Sequence, residues 1–511
     1  MEIKKTTQEE INATLWSAAD TFRGKIDSSL YKDYILVMLF IKYLSDVYVE
    51  HFEEYAKKYN NDEVRIKRAL SRERFILDEK STFDYLYENR NASNIGDIIN
   101  KALEDIEESN KSKLRGVFRN IDFNSDVILG KTNDRNAILR TLLNDFKALD
   151  LKPSNLEGND VIGDAYEYMI AQFASDAGKK GGEFFTPSMV SELLTRLVKP
   201  EENDRIYDPT CGSGSLLIRA FKKVSNGKAQ IYGQERNGQT QALCKMNMFL
   251  HGIDDAKIEN GDTLSNPLHL ENGKLMKFQV VVANPPFSLD KWAMGFAGSE
   301  IEGKKFKMEG SLDIHKRFDW GVPPSSKGDF AFIQHMLNSL AEDGRMGVVL
   351  PHGVLFRGAS EGKIRKEIIE KNLLDAVIGL PENLFFGTGI PAVVLIFKHN
   401  RKRDDLLFID ASGENHYEKG KNQNKLREKD LQEIQKVYEN YKTIDKYSYL
   451  ASTEEIKEND YNLNIPRYVD TFEEEEMIDM DVVAENISKI KLEIEEVEEQ
   501  MAKYLKELGL N

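Results

Sequence analysis

The tetrapeptide Asn284-Pro285-Pro286-Phe287 directly follows an apolar, β-branched run at residues 278–283. Because proline cannot donate to a strand ladder, we expect a buried strand to end here, with Asn284 at its carboxyl end. Open α/β sheets bind their ligands at that edge. The four residues offer an amide carbonyl, a backbone carbonyl and an aromatic plane, which suit a planar ring that carries an exocyclic amino group. A plain strand-ending turn is the alternative, since Asn and Pro are common in turns.

A glycine-rich turn at residues 208–215 is a second candidate site. It lies between a short strand predicted at residues 205–207 and a helix predicted at residues 216–223. Strand, glycine turn and helix is a nucleotide-binding arrangement, because missing side chains let a ligand approach the backbone. The turn is not the dinucleotide fingerprint, since Leu217 replaces the third glycine, and it lacks the lysine of a P-loop. The turn consists of Asp208, Pro209, Thr210, Cys211, Gly212, Ser213, Gly214 and Ser215.

Acidic residues follow the next two predicted strands. Glu235 ends a strand at residues 230–233, about 20 residues beyond the glycines, where a carboxylate can accept from both hydroxyls of a ribose. Asp262 follows a strand around Ile258 and could accept from an adenine amino group. Each carboxylate alone is more often a solvated loop residue. Suitable groups at four consecutive strand ends are a far more specific signal.

Residues 183–188, Glu-Phe-Phe-Thr-Pro-Ser, precede a predicted helix that runs through Leu197. Thr186 and Pro187 resemble an N-cap followed by proline at the first helical position. The unpaired N–H groups of a helix N-terminus suit a carboxylate. An ordinary capped helix is the alternative.

The elements that must position these residues predict an α/β fold with a mostly parallel sheet of about seven strands, covered by helices on both faces. Residues 1–155 lack strand alternation and repeat apolar residues at three-and-four spacing, which predicts helices. The predicted strands lie at residues 205–207, 230–233, around 258, 278–283, 345–350, 375–380 and 392–397. The predicted domains are an α-helical domain at 1–155, a catalytic domain at 156–405 and a C-terminal helical region at 406–511.

Composition limits the class of protein. The 511 residues are 41% hydrophobic and 31% charged, enough for two or three globular domains with their own cores. Two cysteines, eight histidines without a cluster and no CxxC predict neither a disulfide framework nor a zinc site. No signal-peptide pattern and no apolar stretch of spanning length is present, so we expect a soluble cytoplasmic protein without membrane contact.

The net charge of -16 argues against a protein that grips nucleic acid over its whole surface. The charge is uneven, because residues 471–511 hold thirteen carboxylates and four lysines. The other 470 residues therefore carry a net charge of only -7. A surface that faces DNA stays possible there, but a large basic domain does not.

Three motifs in this order resemble the modification (methyltransferase) subunit of type I restriction-modification systems: GEFFTP at 182–187, DPTCGSG at 208–214 and NPPF at 284–287. The likeness includes LWSAAD at 15–20 and YNLN at 461–464, and so covers nearly the whole chain. The resemblance implies a Rossmann-like, S-adenosylmethionine-dependent methyltransferase fold with a helical domain before it and a helical tail after it. It implies transfer of methyl from S-adenosylmethionine to adenine N6 in DNA.

The resemblance also assigns roles to residues of this sequence. It implies that the target adenine, flipped out of the duplex, is held by Asn284, Pro285, Pro286 and Phe287. It implies that S-adenosylmethionine is held by Glu183, Phe184, Phe185, Thr186, Pro187, Ser188, Asp208, Gly212, Ser213, Gly214, Ser215, Glu235 and Asp262. No metal is expected.

No segment is suited to reading base edges, which requires dedicated surface. The chain returns to the sheet within about 60 residues of Phe287, and after Phe397 it is charged and mostly helical. We therefore expect a separate specificity subunit to recognise the DNA sequence. The resemblance implies the same partner, with two methyltransferase subunits for each specificity subunit, and a restriction (nuclease) subunit as a further partner.

The carboxyl end carries a heptad seam, in which apolar residues alternate at four and three spacing for over three heptads. Such a seam needs another helix, and we expect it to dock onto helices of the specificity subunit. Folding back onto its own domain is the alternative. The seam consists of Val483, Ile487, Ile490, Ile494, Val497, Met501, Tyr504 and Leu508.

Two other functions stay open. Methyltransferases that act on protein glutamine or on other amino nitrogens also use an Asn-Pro-Pro-aromatic site, because all of them bind a planar NH2 group. Those enzymes typically lack a helical front end. A catalytically inactive assembly subunit is the second alternative, and the intact glycine turn, Glu235 and Asn284 speak against it.

Overall fold

The computed structural model describes residues 5–24, 26–158, 160–176, 186–224, 227–298, 300–302, 305–385, 388–421, 423–471 and 480–508. Three predicted cofactor residues, Glu183, Phe184 and Phe185, lie outside this part of the chain. The chain divides into two compact units, Met1–Val469 and Asp470–Asn511.

The first unit begins with helices, as the apolar spacing predicts. A capping box starts the first helix, because the Thr7 hydroxyl accepts from the Glu10 N–H and the Glu10 carboxylate accepts from the Thr7 N–H. The apolar faces of these helices bury a common core. The helices are α1 (Gln8–Phe22), α2 (Ser28–Lys58), α3 (Glu63–Leu70), α4 (Phe83–Glu88), α5 (Ile95–Ser109), α6 (Lys111–Leu114), α7 (Asp126–Leu129) and α8 (Thr132–Lys147).

The remaining chain alternates strands and helices. The later helices are α9 (Val161–Asp176), α10 (Ser188–Val198), α11 (Ser215–Lys223), α12 (Gly238–Leu250), α13 (Asp329–Asn338), α14 (Ala359–Glu370), α15 (Glu428–Asn440), α16 (Thr453–Glu458) and α17 (Met480–Glu507). The strands are β1 (Arg205–Asp208), β2 (Gln230–Glu235), β3 (Lys257–Asn260), β4 (Leu270–Glu271), β5 (Lys274–Leu275), β6 (Phe278–Ala283), β7 (Glu300–Glu302), β8 (Lys305–Lys307), β9 (Leu340–Pro351), β10 (Leu374–Gly379), β11 (Ala392–Lys398), β12 (Leu406–Asp410) and β13 (Ser448–Ala451).

One large sheet organises these elements, with strand order β13-β12-β10-β11-β9-β6-β1-β2-β3. The sheet is mostly parallel, and β11 and β13 run against their neighbours. Helices α10, α11, α12 and α15 pack on one face, and α13, α14 and α16 pack on the other. Strand β6 shows why both faces must be covered, because Val280 and Val282 enter one core while Val281 and Ala283 enter the other.

All seven predicted strands are present, and the predicted α/β class is confirmed. The sheet has nine strands in the described part of the chain, against the predicted seven or so. Strands β12 and β13 lie beyond the predicted boundary at residue 405, in a region for which we expected helices. Charged residues 401–405 and the short length of β13 hide them in the sequence. The predicted domain division at 155 and 405 remains a prediction, since residues up to Val469 form one compact unit.

Helix α12 joins the helical front, helices α1 to α8, to the sheet. Leu243, Met246 and Phe249 belong to the core of the front helices, and the Phe249 ring centroid lies 5.6 Å from that of Phe40. Cys244 and Met248 on the same helix belong to a core of the sheet. Helix α12 therefore packs into both hydrophobic cores and connects the two parts of the first unit.

The second unit contains α17, a 28-residue helix. Among the helices that the structure describes, none combines the length and the apolar content needed to cross a membrane.

Candidate active site

The carboxyl ends of β1, β2, β3 and β6 border a cavity of about 390 Å³. These four strands are parallel neighbours, so their ends meet at one edge of the sheet. The chain builds outward from β1 to β2 and β3, then returns to add β6 on the other side of β1. Ligands of open α/β sheets bind at such a reversal. The lining residues are Pro209, Thr210, Glu235, Arg236, Asn237, Gly261, Asp262, Thr263, Asn284, Pro286, Leu289 and Phe332.

Asn284 lines this cavity with its amide held from one side. Its Nδ2 donates to the Thr186 hydroxyl at 3.1 Å. Its Oδ1 is buried and has no hydrogen-bond partner among the residues that the structure describes. A buried acceptor without a donor costs about 1–3 kcal/mol, and few occur in a native protein. The carbonyl of Asn284 is therefore suited to accept from a bound ligand.

The predicted cap of α10 is wrong. The helix begins at Ser188 with Pro187 at the N-cap position, and no side chain caps it. The Thr186 hydroxyl instead contacts Asn284, which is 98 residues away in sequence. Thr186 is buried, Ser188 is exposed, and none of the residues 186–188 lines the cavity.

The other residues of the NPPF motif lie in different surroundings. Pro286 lines the cavity. Pro285 is buried, and no described residue donates to its carbonyl oxygen. The half-buried Phe287 packs its ring against Phe385 at a centroid distance of 5.5 Å and an interplanar angle of 67°. Phe385 follows β10, and no local pattern in the sequence connects the two rings.

The glycine turn does not line the cavity itself, except at Pro209 and Thr210, but it contacts the lining residue Glu235. Gly212 and Gly214 have φ angles of 53° and 87°, which favour glycine. A Cβ on Gly214 would lie 2.8 Å from the Cys244 sulfur, so this glycine is required for helix packing. The Gly212 N–H donates to Glu235 Oε2 at 3.1 Å. Of the predicted turn residues, Asp208, Gly212, Ser213, Gly214 and Ser215 do not line the cavity, whereas their neighbours Pro209 and Thr210 do.

Two of the candidate carboxylates, Glu235 and Asp262, line the cavity. Glu235 Oε1 accepts from the Asn237 N–H at 2.7 Å, in addition to the Gly212 contact. Burial raises the pKa of Glu235, and these backbone hydrogen bonds oppose the shift. Asp262 Oδ1 accepts from the Leu264 N–H at 3.0 Å. A carboxylate has about four lone-pair sites, so both groups keep acceptor capacity for a ligand.

Asp208 is buried, with only 1% of its surface exposed. Its Oδ1 accepts from the Thr210 N–H at 2.8 Å, which closes the turn. Burial raises the pKa of Asp208 to about 8, the Thr210 hydrogen bonds oppose the shift, and the nearby Glu235 carboxylate adds to it. The carboxyl group thus stabilises the turn from inside.

Several lining residues were not predicted. Arg236 and Asn237 directly follow Glu235, and this position just after the end of β2 is the sequence signal that points to them. Leu289 and Phe332 are apolar residues that line the cavity. Phe332 belongs to α13, which a long loop separates from β6 in the sequence. No local pattern links Phe332 to the motifs.

The family model described as N-6 DNA Methylase matches residues 157–477, and that of the HsdM N-terminal domain matches residues 11–146. The chain belongs to the N-6 DNA methylase family. It is 34% identical to the type I restriction enzyme MpnII methylase subunit of Mycoplasma pneumoniae, over 96% of this chain and 95% of that protein. It is also 34% identical to the MjaVIII methylase subunit of Methanocaldococcus jannaschii, over 99% of this chain and 86% of that one.

A solved structure agrees with these relatives. The type I restriction-modification methyltransferase subunit from Streptococcus thermophilus has a TM-score of 0.78 and 37% identity, and covers 91% of this chain and 100% of its own. The resemblance inferred from the three motifs is confirmed. This N-6 DNA methylase transfers methyl to adenine N6 in DNA, as a type I restriction enzyme methylase subunit. The glutamine-methyltransferase and inactive-subunit alternatives are set aside.

The Thr186 contact predicts a specific loss of activity. Thr186→Val removes the acceptor of the Asn284 amide, so the free carbonyl is no longer held in place, and we expect the methylation rate to fall roughly tenfold. Thr186→Ser keeps the hydroxyl and is the matched control, which should stay near the wild-type rate. The measurement is incorporation of labelled methyl into DNA. Equal rates for the Val and Ser variants would contradict this account.

The buried Asp208 predicts a pH-dependent stability. Its pKa rises from 3.8 to about 8 on folding, so the folded protein holds a proton that the unfolded chain releases between these values. The stabilisation is complete below the lower value and is lost as the pH rises through the higher one. Asp208→Asn keeps an oxygen for Thr210 but does not titrate. The melting temperature of this variant minus that of the wild type should therefore increase from about pH 5 to about pH 8. A constant difference would contradict the assignment.

Proposed function

We propose that this methylase binds S-adenosylmethionine in the cavity at the ends of β1, β2 and β3, and holds a flipped adenine at residues 284–287. The observation that carries the proposal is the free, buried Oδ1 of Asn284 on the cavity that Glu235 and Asp262 also line. An acceptor for the target amino group and acceptors for a cofactor thus share one cavity.

The lining residues fit the cofactor. Glu235 can accept from ribose hydroxyls, and Asp262 can accept from an adenine amino group. Leu289 and Phe332 provide apolar wall for a flat ring, and the volume of about 390 Å³ suits a small molecule. When bound, S-adenosylmethionine supplies a methyl group on a positively charged sulfur. The other assigned residues, Thr186–Ser188, Asp208 and Gly212–Ser215, would support this site, and Glu183–Phe185 are assigned by motif alone.

The residues of the chain itself prepare the adenine. The N6 lone pair is delocalised into the ring, so the amino group is a poor nucleophile. Asn284 Oδ1 and the Pro285 carbonyl oxygen have no described donor. These two oxygens would accept hydrogen bonds from the two N6–H groups. Such bonds favour a pyramidal nitrogen whose lone pair is available. Holding that nitrogen in place supplies much of the rate.

Phe287 would stack on the adenine. A base inside the duplex is out of reach, so it must be flipped out at a cost of a few kcal/mol. Base stacking on an aromatic side chain offsets about 1–3 kcal/mol of this cost. The contact with Phe385 fixes one edge of the Phe287 ring and so limits its rotation.

The central test is Asn284→Ala. This variant should lose methylation because the target amino group loses its side-chain acceptor, while cofactor binding survives because Glu235 and Asp262 are unchanged. The two measurements are labelled methyl incorporation into DNA and calorimetric binding of S-adenosylhomocysteine.

Asn440→Ala is a matched control, because Asn440 is exposed at the end of α15 and should tolerate the same change. An active Asn284→Ala enzyme would refute the proposed role of residues 284–287 as the adenine site. Loss of S-adenosylhomocysteine binding by this variant would show that Asn284 serves the cofactor instead.

The proposed partners are DNA, a specificity subunit and a restriction subunit. The segment after β11 adds β12, β13, α15 and α16 to the sheet domain, so the described residues there form no separate DNA-reading domain. This supports sequence recognition by a specificity subunit. We propose that each specificity subunit binds two methylase subunits. The substrate, cellular DNA, suits a cytoplasmic enzyme.

Helix α17 would dock onto that specificity subunit. The helix contains the predicted heptad seam, and the described seam side chains are between 49% and 71% exposed. Those side chains are Ile487, Ile490, Ile494, Val497, Met501, Tyr504 and Leu508. An apolar seam with period 3.5 packs into a facing helix, which would bury these residues.

Charge substitution in the seam tests this docking. Ile490→Glu with Val497→Glu should abolish co-purification with the specificity subunit, because two carboxylates would be buried in an apolar interface. Deleting residues 480–511 should do the same without unfolding the first unit, as judged by its melting temperature.

Leu492→Glu is the matched control. Leu492 is an exposed apolar residue of the same helix but lies outside the seam, so this variant should still assemble. Unchanged co-purification of the seam variant, or equal loss by the Leu492 variant, would count against docking through the seam.

A further inference from the structure

The residue that follows the NPPF motif is fixed by a buried carboxylate. Ser288 has a φ angle of 52°, and its backbone N–H donates to Asp329 Oδ1 at 2.8 Å. The Ser288 hydroxyl also donates to Asp329 Oδ2, at 3.4 Å. A bond to the backbone N–H fixes the position of the main chain. The end of the corner at residues 284–287 therefore depends on where Asp329 lies.

Asp329 is itself held by a cation. It is 0% exposed, and its Oδ2 pairs with Arg357 Nη2. Arg357 also pairs through Nε with Glu361 Oε2 at 2.8 Å, and Glu361 is 2% exposed. The Ser288 hydroxyl accepts from Lys327 and from Arg357 Nη1, both at 3.3 Å. One guanidinium thus lies between two buried carboxyl groups and contacts the serine that closes the corner.

A second backbone bond reinforces this attachment. The Gly328 N–H donates to the Leu289 carbonyl at 3.0 Å, next to the Ser288 and Asp329 pair. Leu289 lines the cavity. Two consecutive residues after the corner are therefore bound to two consecutive residues at the start of α13.

Helix stabilisation does not explain the Asp329 carboxylate. Asp329 is the first residue of α13, but the helix has no side-chain cap hydrogen bond. Its described partners are Ser288 and Arg357. A buried ion pair contributes little net stability, whereas a hydrogen bond to a charged acceptor is short and directional. The arrangement is better suited to fixing a position than to stabilising the fold.

The corner is thereby held at both ends. At its start the Asn284 amide donates to Thr186, and at its end Ser288 donates to Asp329. Between them the two prolines restrict φ. Few torsions remain free, so a shift of Ser288 would move the Pro285 carbonyl and the Asn284 side chain relative to the cavity.

We propose that Asp329 is a positioning residue for methyl transfer, which orients the corner at residues 284–287 through the Ser288 N–H, and that Arg357 holds Asp329 for this purpose. The proposal rests on the proposed role of the corner as the adenine site. Asp329 is not among the residues that line the cavity, so it would act through the main chain of Ser288.

The experiment uses the methylase assembled with its specificity subunit and unmodified DNA. Asp329→Ala should lower the single-turnover rate of methyl transfer about 10²-fold, since a misplacement of 1 Å costs that much, with affinities for S-adenosylhomocysteine and DNA within about threefold. Asp329→Asn keeps an acceptor for Ser288 and is isosteric, so it should fold and show a smaller fall. Arg357→Ala should lower the rate too, and combined with Asp329→Ala should add little further loss, because both act on one contact.

Asp375→Ala is the matched control. Asp375 is 5% exposed and binds Arg401 at 2.9 Å and the Tyr438 hydroxyl at 2.7 Å, but it lies near the start of β10, at the opposite edge of the sheet from the cavity. This variant should lower the melting temperature and keep the wild-type transfer rate. It separates the effect of a lost buried ion pair from the effect of a displaced corner.

Four outcomes decide the proposal and the site on which it rests. A fall in rate with both affinities kept supports it. Wild-type rates for Asp329→Ala and Asp329→Asn, with an inactive Asn284→Ala, would overturn the positioning role and leave the adenine site standing. Loss of S-adenosylhomocysteine binding together with the rate would overturn it in favour of a general structural role. An active Asn284→Ala would instead refute the underlying site.

Discussion

The parallel pairing of β1 with β6 is the interaction on which the rest of this site depends. Ile206 pairs with Val280 and Tyr207 with Val281, which brings together two loops more than 70 residues apart. The glycine turn after β1 and the proline corner after β6 then border one cavity. Because β2 and β3 are added on the other side of β1, their terminal carboxylates face the same space. Strand order, rather than any single loop, creates the site.

The loops of the cavity are connected to one another by hydrogen bonds. The Thr263 hydroxyl donates to the Pro209 carbonyl at 2.6 Å, and Gly212 donates to Glu235. Arg317, which is buried, donates to the Thr263 carbonyl at 3.1 Å. Preorganised groups of this kind need little rearrangement when a ligand binds, which is an advantage for a reaction that depends on position. Two acceptors of the corner have no described donor, Asn284 Oδ1 and the Pro285 carbonyl oxygen, and these are the two groups that we propose bind the target amino group.

The helical front is part of the same structural unit. Helix α12 contributes Phe249 to the core of the front helices. Cys244 and Met248 of the same helix pack closely against Gly214 in the glycine turn. Arg74 of the front adds an ion pair with Asp254, just after that helix. A change in the front helices can therefore reach the turn through one helix.

The sequence by itself determined the α/β class, seven of the nine strands described in the large sheet, the helical front and the family, because hydrophobic periodicity and short motifs are local properties. It also predicted that Asn284, Glu235 and Asp262 lie close together, since parallel strand ends must share an edge, and all three line the cavity. Only the tertiary structure decided that Thr186 contacts Asn284, that Asp208 lies behind the cavity, and that Asp329 holds the end of the corner. It also added β12 and β13 to the sheet and brought Phe385 and Phe332 to the site. These contacts join residues tens of positions apart, and their distances depend on strand order and packing, which no local pattern encodes.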